Sequence, residues 1–361
     1  MLPERQTVAM SSAPGASDGA ASNMRKRASA TTIYDIARIA GVSPSTVSRA
    51  LNKPGRLNAK TEKRILEAAR ELNYQANPMA RALPTGRTQT LGIAVADITN
   101  PMIFDVVRGA GHEATLSDYT LVLVESEESP GRELRAVESL LHTVDGIILA
   151  TSRLTDDEIT GIALRKPVAV LNREVPGVPS IVADVDRGVA EAVRHLVHLG
   201  HRSVLFAPGP ENSWMSKHRW RSVRERCEWS HVAVDTLSAS VPTIDGGRGI
   251  APAVRAHGAT AVIAYNDLMA IGLTQELLEG GVAVPDQVSV IGFDDIFGSD
   301  FAAPPLTTIK SPLREEGALA VRRILGELNE TTVVPDLGGL ATSLVVRRST
   351  GRAPVAEQAH Q

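Results

Sequence analysis

The chain contains little cysteine, few aromatic residues and no long hydrophobic run. Its single cysteine, Cys227, excludes an intramolecular disulfide and a cysteine-based zinc site. Aromatic residues make up only 3% of the 361 residues, so Ala, Val, Leu and Ile must form the core. No apolar run reaches the roughly 18–20 residues that span a bilayer, and the N-terminus lacks the apolar segment of a secretory signal. We therefore expect a cytoplasmic protein that does not enter a membrane.

The net charge of −3 is unevenly distributed along the chain. Residues 1–87 contain 14 Lys and Arg against 6 Asp and Glu, a balance of +8, so the rest of the chain carries −11. A cationic segment gains affinity for phosphate groups because it releases their counterions. The alternative is chance clustering of solvated charges. We favour a basic N-terminal part that binds nucleic acid, joined to an acidic body.

Residues 31–52 have the pattern of two short helices joined by a tight turn. Gly41 lies where the first helix must end, Ser43 can cap the second helix, and Pro44 can open it. The apolar residues that share a face are Ile33, Ile36, Ala37 and Ala40 in the first helix and Val47, Ala50 and Leu51 in the second. The free face of the second helix then carries Ser45, Thr46, Ser48 and Arg49. Short polar side chains and one arginine on a free helix face suit the major groove of DNA.

A third helix and a short linker complete the N-terminal part. The third helix follows Asn58 and buries Ile65, Ala68, Ala69 and Leu72. In the segment 76–88, Asn77 can cap a helix and Pro78 can start it, but Pro84 and Gly86 end it within two turns. A helix this short is unstable alone in water. We therefore expect a hinge that is ordered only when something packs on it.

From residue 90 onwards, apolar runs alternate with amphipathic helical segments. The predicted strands are 91–96, 120–124, 146–150, 168–171, 203–207, 261–265 and 288–293. The predicted helices include 102–117, 131–142, 186–199, 267–279 and 313–327. This alternation is typical of parallel sheets covered by helices on both faces. The fold class is therefore α/β: an all-α helix-turn-helix head and a two-lobed core of doubly wound parallel sheets.

Polar residues follow several of the predicted strands. They are Asp97, Asn172 with Arg173, Asn266 with Asp267, and Asp294 with Asp295. Ligands of open parallel sheets bind beyond the carboxyl ends of the strands. Carboxylate, amide and guanidinium groups together suit a neutral polyol such as a sugar. The alternative is that each residue is a helix cap or a turn residue.

The sequence shows no catalytic set. Residues 246–249 complete neither a dinucleotide fingerprint nor a P-loop, and no serine lies in a nucleophile elbow. The cluster of His195, His198 and His201 is either a metal site or, as we favour, a cationic helix end. Trp214 and Trp220 are either core anchors or a wall that stacks on a ligand. We expect no catalytic residue, no metal and no cofactor.

Several sequence motifs of the head and of the body closely resemble those of the LacI/GalR family of bacterial transcription repressors, and the resemblance covers residues 31–350. The motifs of the head are 32–37, 41–43, 46–52, 73–74, 77 and 80–83. The motifs of the body are 97–101, 144–148, 199–202, 266–267, 291–295 and 305–309.

The resemblance implies a homodimer on a near-palindromic operator. Pro44, Ser45 and Arg49 would read bases, and Leu83 of the hinge would form a wedge in the minor groove. The other DNA-contacting residues would be Thr32, Tyr34, Ser43, Thr46, Ser48, Asn52, Asn77 and Arg81.

The resemblance also implies a small-molecule effector, such as a sugar, between two lobes. Arg219 and Asp294 match the family's effector-binding arginine and aspartate. The other candidates are Asp97, Met102, Ile103, Arg173, Trp214, Asn266, Asp267 and Phe293. Closure of the lobes on the effector would couple ligand affinity to DNA affinity.

The predicted organisation has five parts. A disordered basic extension occupies 1–30, the head 31–75, the hinge and linker 76–88, the core 89–350, and a tail 351–361. Within the core, we assign about 89–172 and 305–336 to the first lobe, and about 173–304 and 337–350 to the second. The tail has no leucine heptads, so nothing indicates a tetramerisation coil.

The sequence thus predicts a nucleoid-associated regulator, a repressor of carbohydrate-utilisation genes whose operator affinity an effector controls. Two alternatives stay open. One is a solute-binding or structural module whose head no longer binds DNA, and the other is a cytosolic enzyme on an α/β scaffold.

Overall fold

The structure, a computed structural model, describes residues 31–52, 55–74, 86–331 and 340–354. The chain divides into two compact units between residues 77 and 78, a helical head and an α/β body. Within the described ranges, no helix combines the length and apolar character needed to cross a membrane. The predicted extension 1–30, most of the predicted hinge and the end of the tail lie outside the described residues.

The head consists of three helices whose ends follow from the sequence. They are α1 (Ile33–Ala40), α2 (Pro44–Asn52) and α3 (Ala59–Glu71). At the start of α1, the Asp35 carboxylate accepts hydrogen bonds from the backbone N–H and the hydroxyl of Thr32, at 3.0 and 2.8 Å. Gly41 ends α1 with a φ of +61°, a left-handed conformation that glycine adopts at no steric cost. The chain therefore turns sharply into α2.

One small apolar core holds the head together. Ile36, Val47 and Ile65, one from each helix, are completely buried. Around them lie Ala37, Ala40, Ala50 and Ala68, which are also buried. Of the predicted stripe on α3, Ala69 and Leu72 are only half-buried. Because Val47 and Ala50 pack inward, the opposite face of α2 is turned to solvent.

The first lobe of the body is built on a parallel five-stranded sheet of order β2-β1-β3-β4-β5. Its strands are β1 (Thr90–Val95), β2 (Thr120–Glu125), β3 (Gly146–Ala150), β4 (Val168–Leu171) and β5 (Ser180–Ile181). The helices between them are α4 (Met102–Leu116), α5 (Pro130–Leu140) and α6 (Asp156–Ala163). Strands β3 and β4 are buried along their whole length, as expected where helices cover both faces of a sheet.

The second lobe is built on a six-stranded sheet of order β11-β10-β9-β8-β6-β7, in which only the pair β10–β11 is antiparallel. Its strands are β6 (Ser203–Ala207), β7 (Ala233–Thr236), β8 (Ala261–Ala264), β9 (Ser289–Asp294), β10 (Thr307–Lys310) and β11 (Ser343–Val345). The remaining helices are α7 (Val185–His198), α8 (Trp214–Trp229), α9 (Ile244–His257), α10 (Asp267–Glu279) and α11 (Leu313–Leu328). The core of this lobe is rich in Val, Ala, Leu and Ile, as the composition predicted.

The structure corrects the predicted lobe boundaries at two points. Residues 305–336 were assigned to the first lobe, but β10 pairs with β9 and so belongs to the second sheet. Residues 173–304 were assigned to the second lobe, but β5 pairs with β4 in the first sheet. Both strands are too short to reveal by periodicity which sheet they join. The chain therefore crosses between the lobes after β5, after β10 and between α11 and β11.

Helix α11 returns to the first lobe and packs against α4 through glycine residues. A Cβ atom on Gly109 would lie 1.9 Å from the carbonyl oxygen of Arg314, and one on Gly317 would lie 2.1 Å from that of Val106. Only residues without a Cβ allow two helix backbones to approach so closely. This contact fixes the start of α11, where Glu316 is fully buried.

Candidate nucleic-acid interface and ligand cleft

The solvent-facing side of α2 carries the side chains that the sequence predicted for base reading. Ser45 and Arg49 are exposed, and Pro44, Thr46 and Ser48 are half-buried. An exposed arginine on a helix can donate two parallel hydrogen bonds to the major-groove edge of guanine. This face of α2 therefore carries the kind of side chains that base reading requires, and the reading role stays a prediction.

Hydroxyl groups cluster at the start of α2. The Ser43 hydroxyl lies 2.8 Å from the hydroxyls of both Ser45 and Thr46, and it accepts a hydrogen bond from the backbone N–H of Thr46 at 3.2 Å. Tyr34 on α1 is 69% exposed. Hydroxyls and the N–H groups at a helix start are donors that suit phosphate oxygens. The Thr32 hydroxyl, by contrast, already donates to Asp35.

Some residues predicted to contact DNA fall outside the described residues. They are Asn77, Arg81 and Leu83 of the hinge, together with the side chain of Asn52. The wedge role of Leu83 therefore stays a prediction.

A polar cleft lies in the body at the carboxyl ends of strands from both lobes. Asp97 follows β1 and Thr151 follows β3 in the first lobe, while Tyr265 follows β8 in the second. Strand order reverses between β1 and β3 and between β6 and β8, and open α/β sheets bind ligands at such points. The predicted effector-binding residues that line the cleft are Asp97, Met102, Ile103, Arg219, Asn266 and Asp294.

A buried ion pair forms the polar centre of the second-lobe wall. Arg219 and Asp294 are 4% and 2% exposed, and Nη2 of Arg219 donates to Oδ1 of Asp294 at 2.6 Å. Nη1 of Arg219 donates to the carbonyl oxygen of Tyr265, and the guanidinium carbon lies 4.3 Å from the centroid of the Phe293 ring. Burial alone would lower the pKa of Arg219, but the charge and hydrogen bond of Asp294, together with the charges of Tyr265 and Asp267, outweigh burial, so the pKa is raised. The arginine is therefore a permanent cation held in a fixed orientation.

Asn266 is equally well fixed. Its side-chain oxygen caps α10 by accepting the N–H of Met269 at 2.9 Å, and its amide nitrogen donates to the carbonyl oxygen of Pro242 at 3.0 Å. The residue therefore lines the cleft and caps a helix at once. Both interpretations of the sequence, ligand contact and helix cap, are compatible with this geometry.

Two predicted effector-binding residues, Arg173 and Trp214, do not line the cleft. Nη2 of Arg173 donates to Asp156 of α6 at 2.6 Å, and Nη1 donates to the carbonyl oxygen of Leu154. Trp214 stacks on His218 with ring centroids 4.7 Å apart. Both side chains are engaged within their own lobes, and the spacing along the chain gave no sign of these partners.

Two further predicted residues, Asp267 and Phe293, are buried supports of the site. Asp267 accepts hydrogen bonds from the hydroxyls of Ser299 and Thr308, at 2.6 and 2.5 Å, and from the N–H of Ile296 at 2.9 Å. Burial, reinforced by the charge of Asp294, raises the pKa of Asp267 to about 7. Phe293 is completely buried beneath the guanidinium of Arg219.

Sequence reasoning missed most of the polar residues on the first-lobe wall. Nε of Arg153 donates to Glu128 at 2.7 Å, and the Arg153 side chain is only 5% exposed. Glu128 follows β2 and Arg153 follows β3. Because ligands of parallel sheets bind beyond the carboxyl ends of the strands, the sequence could have indicated both residues. Asn172, noted after β4, also lines the cleft, as do Thr151 and Tyr265.

Two residues of the histidine cluster are bonded to other residues of the body. Nδ1 and Nε2 of His201 lie 2.9 and 3.1 Å from the hydroxyls of Thr260 and Ser289. Nε2 of His195 lies 3.0 Å from the Thr350 hydroxyl. These contacts favour structural roles. In the part of the chain that the structure describes, no group of three or more His, Cys, Asp or Glu is arranged to hold a metal ion.

The ring of Trp220 stacks on the ring of the core residue Phe206, with centroids 5.5 Å apart. This contact favours the interpretation of Trp220 as a core anchor.

A helix-turn-helix head and a two-lobed body with a polar cleft define a class of protein: DNA-binding regulators that also hold a small ligand. Residues 32–77 match the family of bacterial regulatory proteins described as the lacI family, and residues 193–350 match a periplasmic binding protein-like domain. The chain belongs to the lacI family.

The relatives and solved structures cover almost the whole chain. The chain is 32% identical to the HTH-type transcriptional regulator DegA of Bacillus subtilis (strain 168), over 80% of this chain and 88% of that protein. It is 31% identical to the ribose operon repressor of the same organism, over 88% of this chain and 98% of that protein. The crystal structure of the lac repressor dimer bound to operator and the anti-inducer ONPF superimposes with a TM-score of 0.80 and 27% identity, over 89% of this chain and 99% of that one.

Proposed function

We propose that this chain represses carbohydrate-utilisation genes and that a sugar bound in the cleft controls its affinity for operator DNA. The observation that carries the proposal is the presence, in one chain, of an exposed polar face on α2 and of the buried Arg219–Asp294 pair in a cleft between the two sheets of the body. Relatives named as a ribose operon repressor and a lac repressor bound to operator support it. We infer that the chain acts in the cytoplasm and is not an enzyme.

The chemistry of the cleft suits neighbouring hydroxyl groups. Asp294 can accept a hydrogen bond from a hydroxyl, and Arg219 can donate one to a hydroxyl or ring oxygen, so one face of a sugar meets both. Met102 and Ile103 supply apolar surface on the first-lobe wall. A ligand that bridges the walls stabilises the closed arrangement of the lobes. By linkage, it then changes the affinity for DNA by the same factor as DNA changes the affinity for the ligand.

The proposal is tested with Arg219→Ala and its control Arg221→Ala. Arg221 lies on the same helix but is exposed. Binding of the full chain to fragments of the gene's own upstream region is measured by gel shift, with and without a panel of sugars. We expect a sugar to change the affinity of the wild type and of Arg221→Ala, whereas Arg219→Ala binds DNA but does not respond. A response that survives in Arg219→Ala would contradict the proposed site.

A further inference from the structure

Three hydrogen bonds hold Arg153 in place on the first-lobe wall of the cleft. Its backbone N–H donates to the buried carboxylate of Glu133 at 2.8 Å. In the side chain, Nε donates to Glu128 at 2.7 Å, and Nη1 donates to the carbonyl oxygen of Thr151 at 3.0 Å. The guanidinium therefore has one fixed orientation, as a residue that recognises a ligand requires.

Two of these partners have a costly backbone conformation. Glu128 has a φ of +58° and Thr151 a φ of +60°, both in the left-handed region that residues with a Cβ rarely adopt. Asn172 and Asp294, which also line the cleft, have φ values of +58° and +103°. Strained backbone of this kind clusters at binding and catalytic sites. The strain costs stability, which favours a role in binding for the residues that it positions.

The Arg153–Glu128 pair has hydrogen-bonding capacity that the chain does not use. Both residues line the cleft. Within the described ranges, Nη2 of Arg153 and Oε1 of Glu128 form no hydrogen bond, because the pair is joined through Nε and Oε2. Neither atom is fully enclosed by the protein. One ion pair therefore offers both a donor and an acceptor to a ligand.

The ion pair on the second-lobe wall has a similar surplus. Oδ1 of Asp294 accepts hydrogen bonds from Arg219 at 2.6 Å and from the Ser311 hydroxyl at 3.3 Å. Oδ2 of Asp294 accepts none from the part of the chain that the structure describes, and it is not fully enclosed either. Each wall of the cleft thus presents an arginine–carboxylate pair with an oxygen that is available to a ligand.

The charges that line the cleft favour a neutral ligand. Glu128 balances Arg153, and Asp294 balances Arg219, so neither pair needs a counterion. Asp97 adds a third carboxylate. An acidic or phosphorylated ligand would lie among three carboxylates, and a cationic ligand would lie beside two guanidinium groups; contacts between like charges are costly. A hydroxyl group carries no charge and both donates and accepts, so it matches the unused atoms.

We propose that Arg153 and Glu128 are specificity-determining residues that recognise two neighbouring hydroxyl groups of a neutral sugar. Nη2 of Arg153 donates to the oxygen of one hydroxyl, and Oε1 of Glu128 accepts a hydrogen bond from the other. A further hydroxyl of the same ligand donates to Oδ2 of Asp294, so the sugar binds both walls. This inference rests on the proposed regulatory function, because it names the first-lobe contacts of the effector.

The first test compares matched ligands on the full chain by isothermal titration calorimetry at pH 7. The probes are ribose, glucose and galactose, the 2-deoxy and 3-deoxy forms of each, and the charged analogues ribose 5-phosphate, glucuronate and galacturonate. We expect at least one neutral sugar to bind more tightly than its charged analogue. Loss of one hydroxyl should weaken its binding at least about tenfold, because a charged donor or acceptor is left unpaired.

Three results of this titration would overturn the inference. They are tighter binding of a charged analogue than of every neutral sugar, equal binding of a sugar and both of its deoxy forms, and binding of none of the sugars.

The variants Arg153→Met and Glu128→Gln test whether these two residues make the contacts. Arg153→Met keeps the length of the side chain and removes its donors. We expect it to bind the sugar as weakly as the wild type binds one deoxy form, and to bind that deoxy form as the wild type does, because both changes remove the same hydrogen bond. A change that only disturbs the structure would weaken both ligands alike.

Glu128→Gln is the second variant and stands in if Arg153→Met does not fold, since the Glu128 side chain is 33% exposed. Its amide oxygen can stay with Arg153, so an NH2 group replaces the acceptor that faces the ligand. We expect this variant to lose the difference between the sugar and the other deoxy form. If both differences persist in the variants that fold, the inference is wrong.

Arg165→Gln provides the matched control. Arg165 lies in the first lobe and pairs with Glu138 at 3.6 Å, but it is exposed and is not part of the cleft wall. The control should bind every probe as the wild type does. Gel shifts with the same preparations separate the two proposals. A sugar that changes operator affinity equally in the wild type and in both cleft variants contradicts only this inference, whereas no response of the wild type to any sugar contradicts the proposed function.

Discussion

At the scale of single residues, we propose that recognition of the operator depends on Arg49. It is exposed on the free face of α2, where it can bind a guanine through two hydrogen bonds. We expect Arg49→Ala to lose about 1–3 kcal/mol of discrimination between operator and random DNA while keeping weak, salt-sensitive binding. Competition gel shifts measure this ratio. The control Arg70→Ala removes an exposed cation from α3 and should leave the ratio of operator affinity to random-DNA affinity unchanged. If this ratio is also unchanged in Arg49→Ala, Arg49 does not read bases.

Glu316 makes the stability of the protein depend on pH. Its pKa is about 8 in the folded chain, against an ordinary value of 4.5. Between these values the folded chain holds a proton that the unfolded chain has lost, so the free energy of unfolding falls as the pH rises. The slope for one such group is up to about 1.4 kcal/mol per pH unit. Asp267, whose pKa is raised to about 7, acts in the same direction.

We therefore expect Glu316→Gln to weaken the fall in melting temperature between pH 5 and pH 8, and to melt higher than the wild type at pH 8. Part of the remaining dependence comes from Asp267 and Glu133, whose pKa values burial raises. Three histidines, whose pKa values burial lowers, act in the opposite direction: His195, His201 and His218. Glu315→Gln, on the exposed side of α11, should melt like the wild type at each pH. Thermal unfolding across this range measures the effect, and identical profiles for Glu316→Gln and the wild type would show that Glu316 does not hold a proton in the folded chain.

Among the elements, the pair α4–α11 packs closely enough to be sensitive to a single methyl group. A methyl group on Gly109 would lie 1.9 Å from the backbone of α11, so the helices would have to separate. We expect Gly109→Ala to lower the free energy of unfolding by about 1–3 kcal/mol. Gly111→Ala on the same helix meets nothing within 4 Å and should be neutral or stabilising by up to about 1 kcal/mol. Denaturant titration compares the two, and equal effects would contradict the close packing.

The sequence predicted long and strongly patterned elements well. The strands 146–150, 168–171 and 203–207 have the predicted bounds, because continuous apolar runs form them. Helix α8 was not predicted, since tryptophan, arginine and glutamate alternate along it without a clear apolar stripe. Strand β5 is only two residues long, and β10 was assigned to the wrong lobe, because pairing partners are set by tertiary structure.

At the scale of the whole molecule, we propose that two exposed phenylalanines contact a second copy of the chain. Phe297 and Phe301 follow β9, are 76% and 67% exposed, and contact each other edge to face at 5.3 Å. Exposed aromatic patches of this kind commonly mark protein interfaces. We expect the double variant Phe297→Ser, Phe301→Ser to shift the protein from dimer to monomer in sedimentation velocity. Trp229→Ser, at a residue that is 79% exposed on α8, should remain dimeric. A double variant that stays dimeric would place the interface elsewhere.

The cleft shows how far a sequence can define a site that several segments build together. Arg219 and Asp294 could be named because they match the effector-binding arginine and aspartate of the family, and Asp97 and Asn266 because they follow strands. The burial of Glu316 on α11 could not be predicted, because a glutamate on an amphipathic helix is indistinguishable from a solvated one until the fold buries it. Arg173 shows the reverse: it follows a strand as a ligand-binding residue would, yet it binds Asp156.

The central claim is that one chain reads DNA in response to a small molecule, and fluorescence anisotropy of a labelled duplex tests it most directly. The full chain is titrated onto a near-palindromic fragment from its own upstream region and onto a scrambled duplex, with and without each member of a panel of sugars. We expect tight binding to the first duplex only, and a shift of at least about tenfold in that affinity with one of the compounds. Equal binding to both duplexes, with every compound, would contradict the account.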